Sequence, residues 1–358
     1  MKILFFSGGL YRPGGTERVL VEVADSLAER GYEICIVSLT GEKKAFYEPD
    51  KRIKIYYLEA ENFSGHLVGN LKKLVKITKK EKPDVWVDVD TILCMYSIPL
   101  RFLCHGFHLL SWAHFNHNST FSKNRFIRRI STFAAAHLSD GMIVLTEFDK
   151  KYYQRRFGMG ERLYQIYNPN PFENTGKKTK YGKYIFAAGN LVPEKGFDFL
   201  IEVWSRLEKK YPDWHVVIAG DGSEKTALKR EVKRKKLANL HFVGRVPKIE
   251  KYYENASIYA LTSRYEGFPT VVMEAMAYSL PVVALGKNTC VTEMFDDGVS
   301  GIVVKKRDVD EFAQKLELLM QNSELAKRIG NEARRKVADF SHEKIISEWE
   351  KMLKKVTV

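Results

Sequence analysis

Short apolar runs alternate with helical patterns almost from the first residue, and no other feature limits the fold as tightly. Ile3–Phe6 reads as a buried strand. In Thr16–Arg30, which follows, Val19, Leu20, Val23, Ala24 and Leu27 share one helical face, and Gly31 stands where a C-cap belongs. Further strand-like runs come at Ile34–Leu39, Ile53–Tyr57, Val85–Val89, Leu109–Trp112, Met142–Leu145 and Leu163–Tyr167. A second series starts at Tyr184–Ala188 and continues at His215–Ala219, Leu240–Val243, Ser257–Leu261, Val282–Leu285 and Ile302–Val304. Between its members lie helices such as Phe197–Lys210, with an apolar stripe of Leu200, Ile201, Val203, Trp204 and Leu207. Strands that alternate with helices run parallel, because each crossover helix returns the chain to the same edge of the sheet.

The two series are separated by Asn168-Pro169-Asn170-Pro171 and the polar, aperiodic stretch Glu173–Lys183. A length of 358 residues, at about 150 per domain, agrees with two domains. The expectation is an α/β chain of two doubly wound, Rossmann-like domains facing a cleft, where ligands of such folds bind. The boundaries read as 1–172, a linker at 173–183, and 184–340. A last helix, Glu343–Lys355, lies in 341–358 and packs back toward the N-terminal domain. No repeat with a fixed period of 20–50 residues is present.

Composition excludes disorder: 45% of residues are hydrophobic and 28% charged. Cys35, Cys94, Cys104 and Cys290 are scattered without metal-ligand spacing, which speaks against a disulfide framework and for a reducing compartment. The N-terminal apolar run spans four residues, short of the ~7–15 of a signal peptide, and no run nears the ~20 of a spanning helix. The chain therefore reads as cytoplasmic, with room for a peripheral place on the inner membrane face. A formal charge of +14 suits an anionic partner (nucleic acid, nucleotide or membrane) or simply a solubilising surface.

Two loops carry chemistry. Gly8-Gly9-Leu10-Tyr11-Arg12-Pro13-Gly14-Gly15-Thr16 joins the first strand to the first helix, and such glycines let backbone N–H groups approach an anion. It matches neither a P-loop nor G-x-G-x-x-G, so it reads either as a tight turn or as a phosphate or substrate loop. The stronger signal is Ser263-Arg264-Tyr265-Glu266-Gly267-Phe268-Pro269-Thr270-Val271-Val272-Met273-Glu274-Ala275-Met276-Ala277, between two apolar strands. Pro269 suits a first helical turn and Gly267 a close approach before it. Glu266 then sits on the loop and Glu274 within an apolar helix, which argues for its burial. A diphosphate can rest on the helix N-terminus while the two carboxylates accept bonds from sugar hydroxyls.

With its seven-residue gap between acids, E-G-F-P-T-V-V-M-E-A-M-A resembles the EX7E motif of retaining GT-B glycosyltransferases, and most of all glycosyltransferase family four. The similarity extends to G-G-T-E-R, V-L-T-E-F-D, A-G-N-L-V-P-E-K-G-F-D-F-L, V-I-A-G-D-G, F-V-G-R-V and E-M-F-D-D-G-V-S-G-I-V-V. The resemblance implies a nucleotide-sugar donor, transfer with retention, and neither cofactor nor metal. It assigns Glu274 to the nucleotide ribose and Glu266 to donor-sugar hydroxyls, with Gly267, Phe268, Pro269 and Thr270 around the phosphates. Lys195 matches the diphosphate-binding lysine, whose cation offsets charge on the leaving group. Gly14 and Gly15 match a loop near phosphates and acceptor, while Arg245 and Val246 lie where the base is held. Asn190 stands in the donor site where the family often has Arg, so one phosphate cation is missing; Lys195 and another base compensate, or transfer is weakened.

His114, in Ser111-Trp112-Ala113-His114-Phe115-Asn116-His117-Asn118, matches a histidine beside the donor sugar, where neutral imidazole can bond a hydroxyl or handle the acceptor proton. A structural histidine is the other reading, and His117, Asn116 or Asn118 can face the cleft instead. Asp88-Val89-Asp90 resembles a metal-binding D-x-D, but this spacing is common by chance and reads as a strand end. In Leu67–Lys82, Leu67, Leu71, Leu74, Val75 and Thr78 oppose Lys72, Lys73, Lys76, Lys79, Lys80 and Lys82. Together with Arg125-Phe126-Ile127-Arg128-Arg129, that segment suits either an anionic membrane or a solvated face.

The expected activity is retaining, metal-independent transfer of a hexose or N-acetylhexosamine, with UDP the expected nucleotide. The acceptor would be a lipid-linked or growing cell-surface glycan, as in capsule, exopolysaccharide or lipopolysaccharide assembly. A sugar-nucleotide epimerase on the same fold and a non-catalytic transferase-like subunit are the alternatives. Nucleic-acid binding is suggested by charge alone and accompanied by no motif.

Overall fold

The computed structural model describes residues 1–358 apart from 64, 115–124, 173–178, 288 and 358. Its strands are β1 (Lys2–Ser7), β2 (Glu33–Thr40), β3 (Lys54–Ala60), β4 (Val85–Asp88), β5 (His108–Ala113), β6 (Gly141–Val144), β7 (Leu163–Gln165), β8 (Tyr184–Ala188), β9 (His215–Ala219), β10 (Leu240–Gly244), β11 (Ile258–Leu261), β12 (Val282–Leu285) and β13 (Ile302–Val304). The helices are α1 (Gly15–Glu29), α2 (Leu67–Glu81), α3 (Cys94–Leu103), α4 (Arg125–Leu138), α5 (Glu147–Phe157), α6 (Phe197–Leu207), α7 (Lys225–Arg234), α8 (Glu250–Asn255), α9 (Thr270–Ala277), α10 (Val309–Gln321), α11 (Ser323–Lys336) and α12 (His342–Val356). Two units result: Met1–Pro169 with His342–Val358, and Asn170–Ser341.

In the first unit seven strands lie in the order β3-β2-β1-β4-β5-β6-β7, every pair parallel. Phe5, Phe6, Trp86 and Trp112 are fully buried, as continuous apolar strands covered on both faces require. On one face, α2, α3 and the turn just before α3 bring Leu74, Leu93, Tyr96 and Leu100 into a core with Phe6 and Trp86. The last helix, α12, belongs to this unit. Its buried Trp349 packs edge-on against Phe5, with ring centroids 6.0 Å apart, and against Trp112 at 4.7 Å.

The second unit has six parallel strands in the order β10-β9-β8-β11-β12-β13. Its core gathers Leu200, Ile201, Val203, Trp204 and Leu207 of α6 with β-strand residues such as Ile185, Ile218 and Val283. This unit begins at Asn170, earlier than the sequence boundary at 172, for a local reason. The Asn170 N–H bonds the Phe340 carbonyl at 2.8 Å, and Phe172 packs edge-on to Tyr278. Most of the described part of the expected linker is also bound to this unit. Thr179, Lys180 and Gly182 donate backbone hydrogen bonds to Tyr278, Glu254 and Asn255.

Each sheet grows in two directions from a central pair of strands, β1 and β4 in the first unit, β8 and β11 in the second. Loops leaving the C-terminal ends of such a pair diverge and leave a crevice, the usual ligand position in open α/β sheets. The glycine loop after β1 and Asp88–Asp90 at the end of β4 occupy that position in the first unit. In the second, Lys195 follows β8 and Glu266 follows β11.

Candidate functional site

Lys195 ends a single 3₁₀ turn, Pro193–Lys195, closed by Gly196 in the left-handed conformation at φ 65°. Only glycine fits there, since a Cβ would come within 2.1 Å of the Thr262 carbonyl oxygen. The Lys195 Nζ donates to Glu266 Oε1 at 2.6 Å, and Ser263 Oγ donates to the same oxygen at 2.7 Å. The Lys195 and Glu266 side chains are 25% and 10% exposed, so the pair is largely withdrawn from water. A carboxylate this buried needs its cation close by.

Glu274 lies inside α9 and is buried, as its apolar neighbours predict. The Tyr253 hydroxyl, brought from α8, donates to Glu274 Oε2 at 2.7 Å, and the Tyr253 ring stacks on Tyr278 at 5.7 Å. Burial, reinforced by the Glu274 charge, pushes the nearby Tyr259 hydroxyl well above its ordinary value. Pro269 takes the N-cap position of α9 rather than a place in its first turn, because its ψ of 99° is extended. It offers no side-chain cap, so the first-turn N–H groups beside Gly267 are not closed off by one. Thr270, the first helical residue, is buried. Phe268 is also buried and packs edge-on to Phe340, with centroids 5.4 Å apart; its side chain anchors the loop.

Asn190 is exposed on the loop after β8, and Arg245 is exposed just after β10, with Val246 half-buried beside it. The Arg245 charge reaches Asp221, whose carboxyl the Lys225 hydrogen bond holds below its ordinary range, with Arg245 a smaller influence. The geometry therefore brings Lys195, Glu266 and the start of α9 together.

In the first unit, Gly14 is the N-cap of α1 and Gly15 its first residue. The Glu17 carboxylate folds over Gly14, so that a Cβ there would lie 2.0 Å from Glu17 Oε2. Burial pushes the Glu17 carboxyl up, while its own backbone N–H and Arg12 pull it back in part. The loop thus presents an acid beside its N–H groups, which corrects the picture of a bare anion cradle. His114 follows β5 with its ring against Trp112 at 4.2 Å. Its Nε2 is buried and has no hydrogen-bond partner among the described residues. Burial pushes its pKa down to about 3, so the ring is neutral at ordinary pH. His117, Asn116 and Asn118 lie outside the described residues.

The Asp88 and Asp90 side chains are committed elsewhere. Asp88 is fully buried and accepts from Trp86 Nε1 at 2.9 Å and from the Ser97 hydroxyl. Asp90 is forked by Arg128 at 2.7 and 3.0 Å. Arg128 is thereby drawn out of the basic surface expected of it. The stripe Leu71, Leu74 and Val75 of α2 packs into the first unit's core and cannot also enter a membrane. Lys72, Lys76, Lys79 and Lys80 remain exposed on the outer face of α2, as does Arg129 on α4, while Lys73 donates to the Leu58 carbonyl at 3.0 Å. Open apolar surface includes Phe126, Ile130, Phe133 and Leu138 on α4, Phe102 and Leu103 on α3, and Leu67 and Val68 at the start of α2. No helix among the described residues is long and apolar enough to cross a membrane.

Sequence reasoning missed Ser263, Tyr253, Glu17 and the Arg264–Asp198 pair. Ser263 and Arg264 stand within three residues of Glu266, and Asp198 three beyond Lys195, but only the fold shows what each one grips.

The model of glycosyl transferases group 1 matches residues 170–336, and that of glycosyltransferase family 4 matches residues 13–170. An uncharacterized glycosyltransferase of Haemophilus influenzae is 34% identical over 98% of this chain and 99% of its own. A Campylobacter jejuni protein is 28% identical over 99% of both chains, and is named GalNAc-alpha-(1->4)-GalNAc-alpha-(1->3)-diNAcBac-PP-undecaprenol alpha-1,4-N-acetyl-D-galactosaminyltransferase. Among solved structures, a point mutant of Staphylococcus aureus TarM, in complex with fondaparinux, alpha-GlcNAc-glycerol and UDP, superposes with a TM-score of 0.84. It covers 99% of this chain and 100% of its own at 18% identity, a likeness of fold.

Proposed function

This chain belongs to the family-four glycosyltransferases of GT-B fold, and from that premise we propose that it is a retaining, metal-independent enzyme using a UDP-sugar. The observation that carries the reading is the Lys195–Glu266 pair, 2.6 Å apart across the β8–β11 divergence, with Glu274 buried on the adjoining helix. A donor diphosphate placed at the α9 N-terminus meets Lys195, whose ammonium neutralises charge as the bond from the anomeric carbon to the phosphate oxygen breaks. Glu266 is then free to accept from a sugar hydroxyl. Glu274 lies about 6 Å further along the helix axis from its start, at 1.5 Å per residue, and suits the ribose hydroxyls. Gly14, Gly15, Arg245 and Val246 complete the donor contacts in this reading. Neutral His114 bonds a hydroxyl near the reacting carbon. Asn190 supplies no cation, and Lys195 carries that task. No cofactor is needed, and nucleic acid is not a partner.

The UDP bound in the TarM structure supports the choice of nucleotide, and the printed name of the Campylobacter relative supports a polyprenyl-linked glycan as acceptor. Such an acceptor lies at a membrane. We assign the docking surface to the open apolar ridge of α3 and α4, flanked by Lys72, Lys76, Lys79 and Lys80 of α2 and by Arg129. Exposed aromatic and aliphatic side chains enter the interface while lysines meet anionic headgroups. The protein then works at the cytoplasmic membrane face.

A panel of nucleotide sugars incubated with wild-type chain and lipid-linked acceptor tests the catalytic reading. Transfer from a UDP-hexose or UDP-N-acetylhexosamine is expected, with rates at least about a hundredfold lower in Glu274→Ala. Unchanged transfer by that variant defeats the assignment. Sedimentation with phosphatidylglycerol-containing vesicles tests the surface. Phe126→Ser/Phe133→Ser and a charge-reversed α2 should each release the protein, and wild-type binding by both variants rules the surface out.

A further inference from the structure

Three successive carbonyls of the turn that carries Lys195 are gripped by the loop that carries Glu266. The Pro193 carbonyl accepts from Arg264 Nη1, the Glu194 carbonyl from the Arg264 backbone N–H at 2.7 Å, and the Lys195 carbonyl from Thr262 Oγ1 at 3.3 Å. The Arg264 guanidinium is itself set by a fork: Nη1 reaches Asp198 Oδ1 at 3.0 Å and Nη2 reaches Oδ2 at 2.6 Å. Asp198, in the first turn of α6, also takes Arg307 Nη2 at 3.1 Å, and the Arg307 guanidinium lies 4.9 Å over the Phe199 ring. Burial opposes the ionisation of Asp198, but the two guanidiniums outweigh it and hold its carboxyl below the ordinary range.

We propose that Arg264 and Asp198 are positioning residues for Lys195: the planar fork between them fixes the Pro193–Lys195 turn against the Glu266 loop. A nucleoside diphosphate then meets the ammonium already in place. The inference rests on the reading of Lys195 as the diphosphate-binding cation. A lone 3₁₀ turn has poor hydrogen-bond geometry and little stability of its own, so its place must be set from outside. Both terminal nitrogens of Arg264 are committed to Asp198 and Pro193, so its charge is spent on the turn. Asp198 is 52% exposed, and a pair of that exposure contributes little to folding, so removing it separates placement from stability.

Calorimetric titration of the full chain with uridine, guanosine and adenosine diphosphate tests this, alongside thermal melting. The variants are K195A, R264A, R264K, D198N and the R264A/K195A double. Arg264→Ala and Arg264→Lys are each expected to weaken the diphosphate that wild type binds by about tenfold. The lysine keeps the charge but loses the fork. Asp198→Asn should weaken it less, with the melting temperature unmoved. Because Arg264 acts through Lys195, R264A should add nothing in the K195A background. Wild-type affinity in R264A, full affinity in R264K, or an additive loss in the double variant overturns the positioning role. Should R264A melt early, D198N decides: unchanged affinity there is equally fatal. A different failure, in which K195A keeps wild-type affinity or wild type binds none of the three diphosphates, strikes the reading of Lys195 itself.

Discussion

The two units arm the C-terminal ends of their parallel strands in opposite ways. After β8 and β11, a cation and a carboxylate sit 2.6 Å apart, and the cation's turn is gripped through three backbone carbonyls. In the first unit, His114 follows β5 with a buried Nε2 that has no partner among the described residues. The second unit thus holds a charged pair on a fixed turn, its cation and carboxylate each the other's partner. The first keeps a neutral ring whose hydrogen-bonding capacity is unused by its own described surroundings. A buried polar atom without a partner costs about 1–3 kcal/mol, so this capacity calls for an explanation that packing alone does not supply.

Lys195→Ala is the largest blow to that contrast. It should lower kcat/KM for the donor by about a hundredfold or more, as loss of a charge-stabilising group does. Loss of the same size from a first-unit variant would erase the distinction between the units. His114→Gln should act next. An amide keeps one hydrogen-bonding atom near the ring position, so a several-fold loss of kcat with little change in donor KM is expected; an unchanged kcat would leave the histidine a packing residue.

Acid sensitivity sharpens the same comparison. The His114 pKa is about 3 in the folded chain against an ordinary 6.5, so below pH 6.5 the unfolded chain takes up a proton that the folded one refuses. Stability falls on that account as pH drops from 6.5 toward 3, by at most about 1.4 kcal/mol per pH unit. Urea unfolding of the Gln variant should show a weaker fall over that range. Asp88 acts in the opposite sense, because burial pushes its carboxyl up to about 7 from 3.8. Its folded form holds a proton that the unfolded one has lost, and that contribution disappears as pH rises through about 7. Asp88→Asn should therefore gain on wild type as pH rises from 3.8 and level off above about 7. This smallest effect, read as a shift in unfolding midpoint, fails if the two chains differ by the same amount at every pH. The two groups tilt stability in opposite directions in mildly acidic solution, so only single variants reveal either one.

The membrane surface shows where a pattern in sequence misleads. Leu71, Leu74 and Val75 mark an apolar face of α2, and helical spacing says only that such a face exists. The fold spends it on the core. On α4 the residues Phe126, Ile130 and Phe133 follow the same spacing, yet they face outward and leave that helix with apolar surface to spare. Arg128 looked like surface charge but is forked onto Asp90, 38 residues away in the chain. The grip of Arg264 on Asp198 likewise spans 66 residues. Glu266, Glu274 and Lys195, by contrast, were legible because short motifs carry them on loops and a helix start that strand–helix alternation already implies.

Alternation of apolar runs and helical faces determined two parallel sheets by itself, since period and crossover geometry are properties of neighbouring residues. The same local logic located the two acids and foresaw that Glu274 is buried, while Lys195 was marked only by the family resemblance. Which apolar face packs inward, where the first unit gives way to the second, and which arginine holds which carboxylate were decided only by the tertiary structure. Those outcomes depend on packing and ion pairing between residues far apart in sequence, and no periodicity records them.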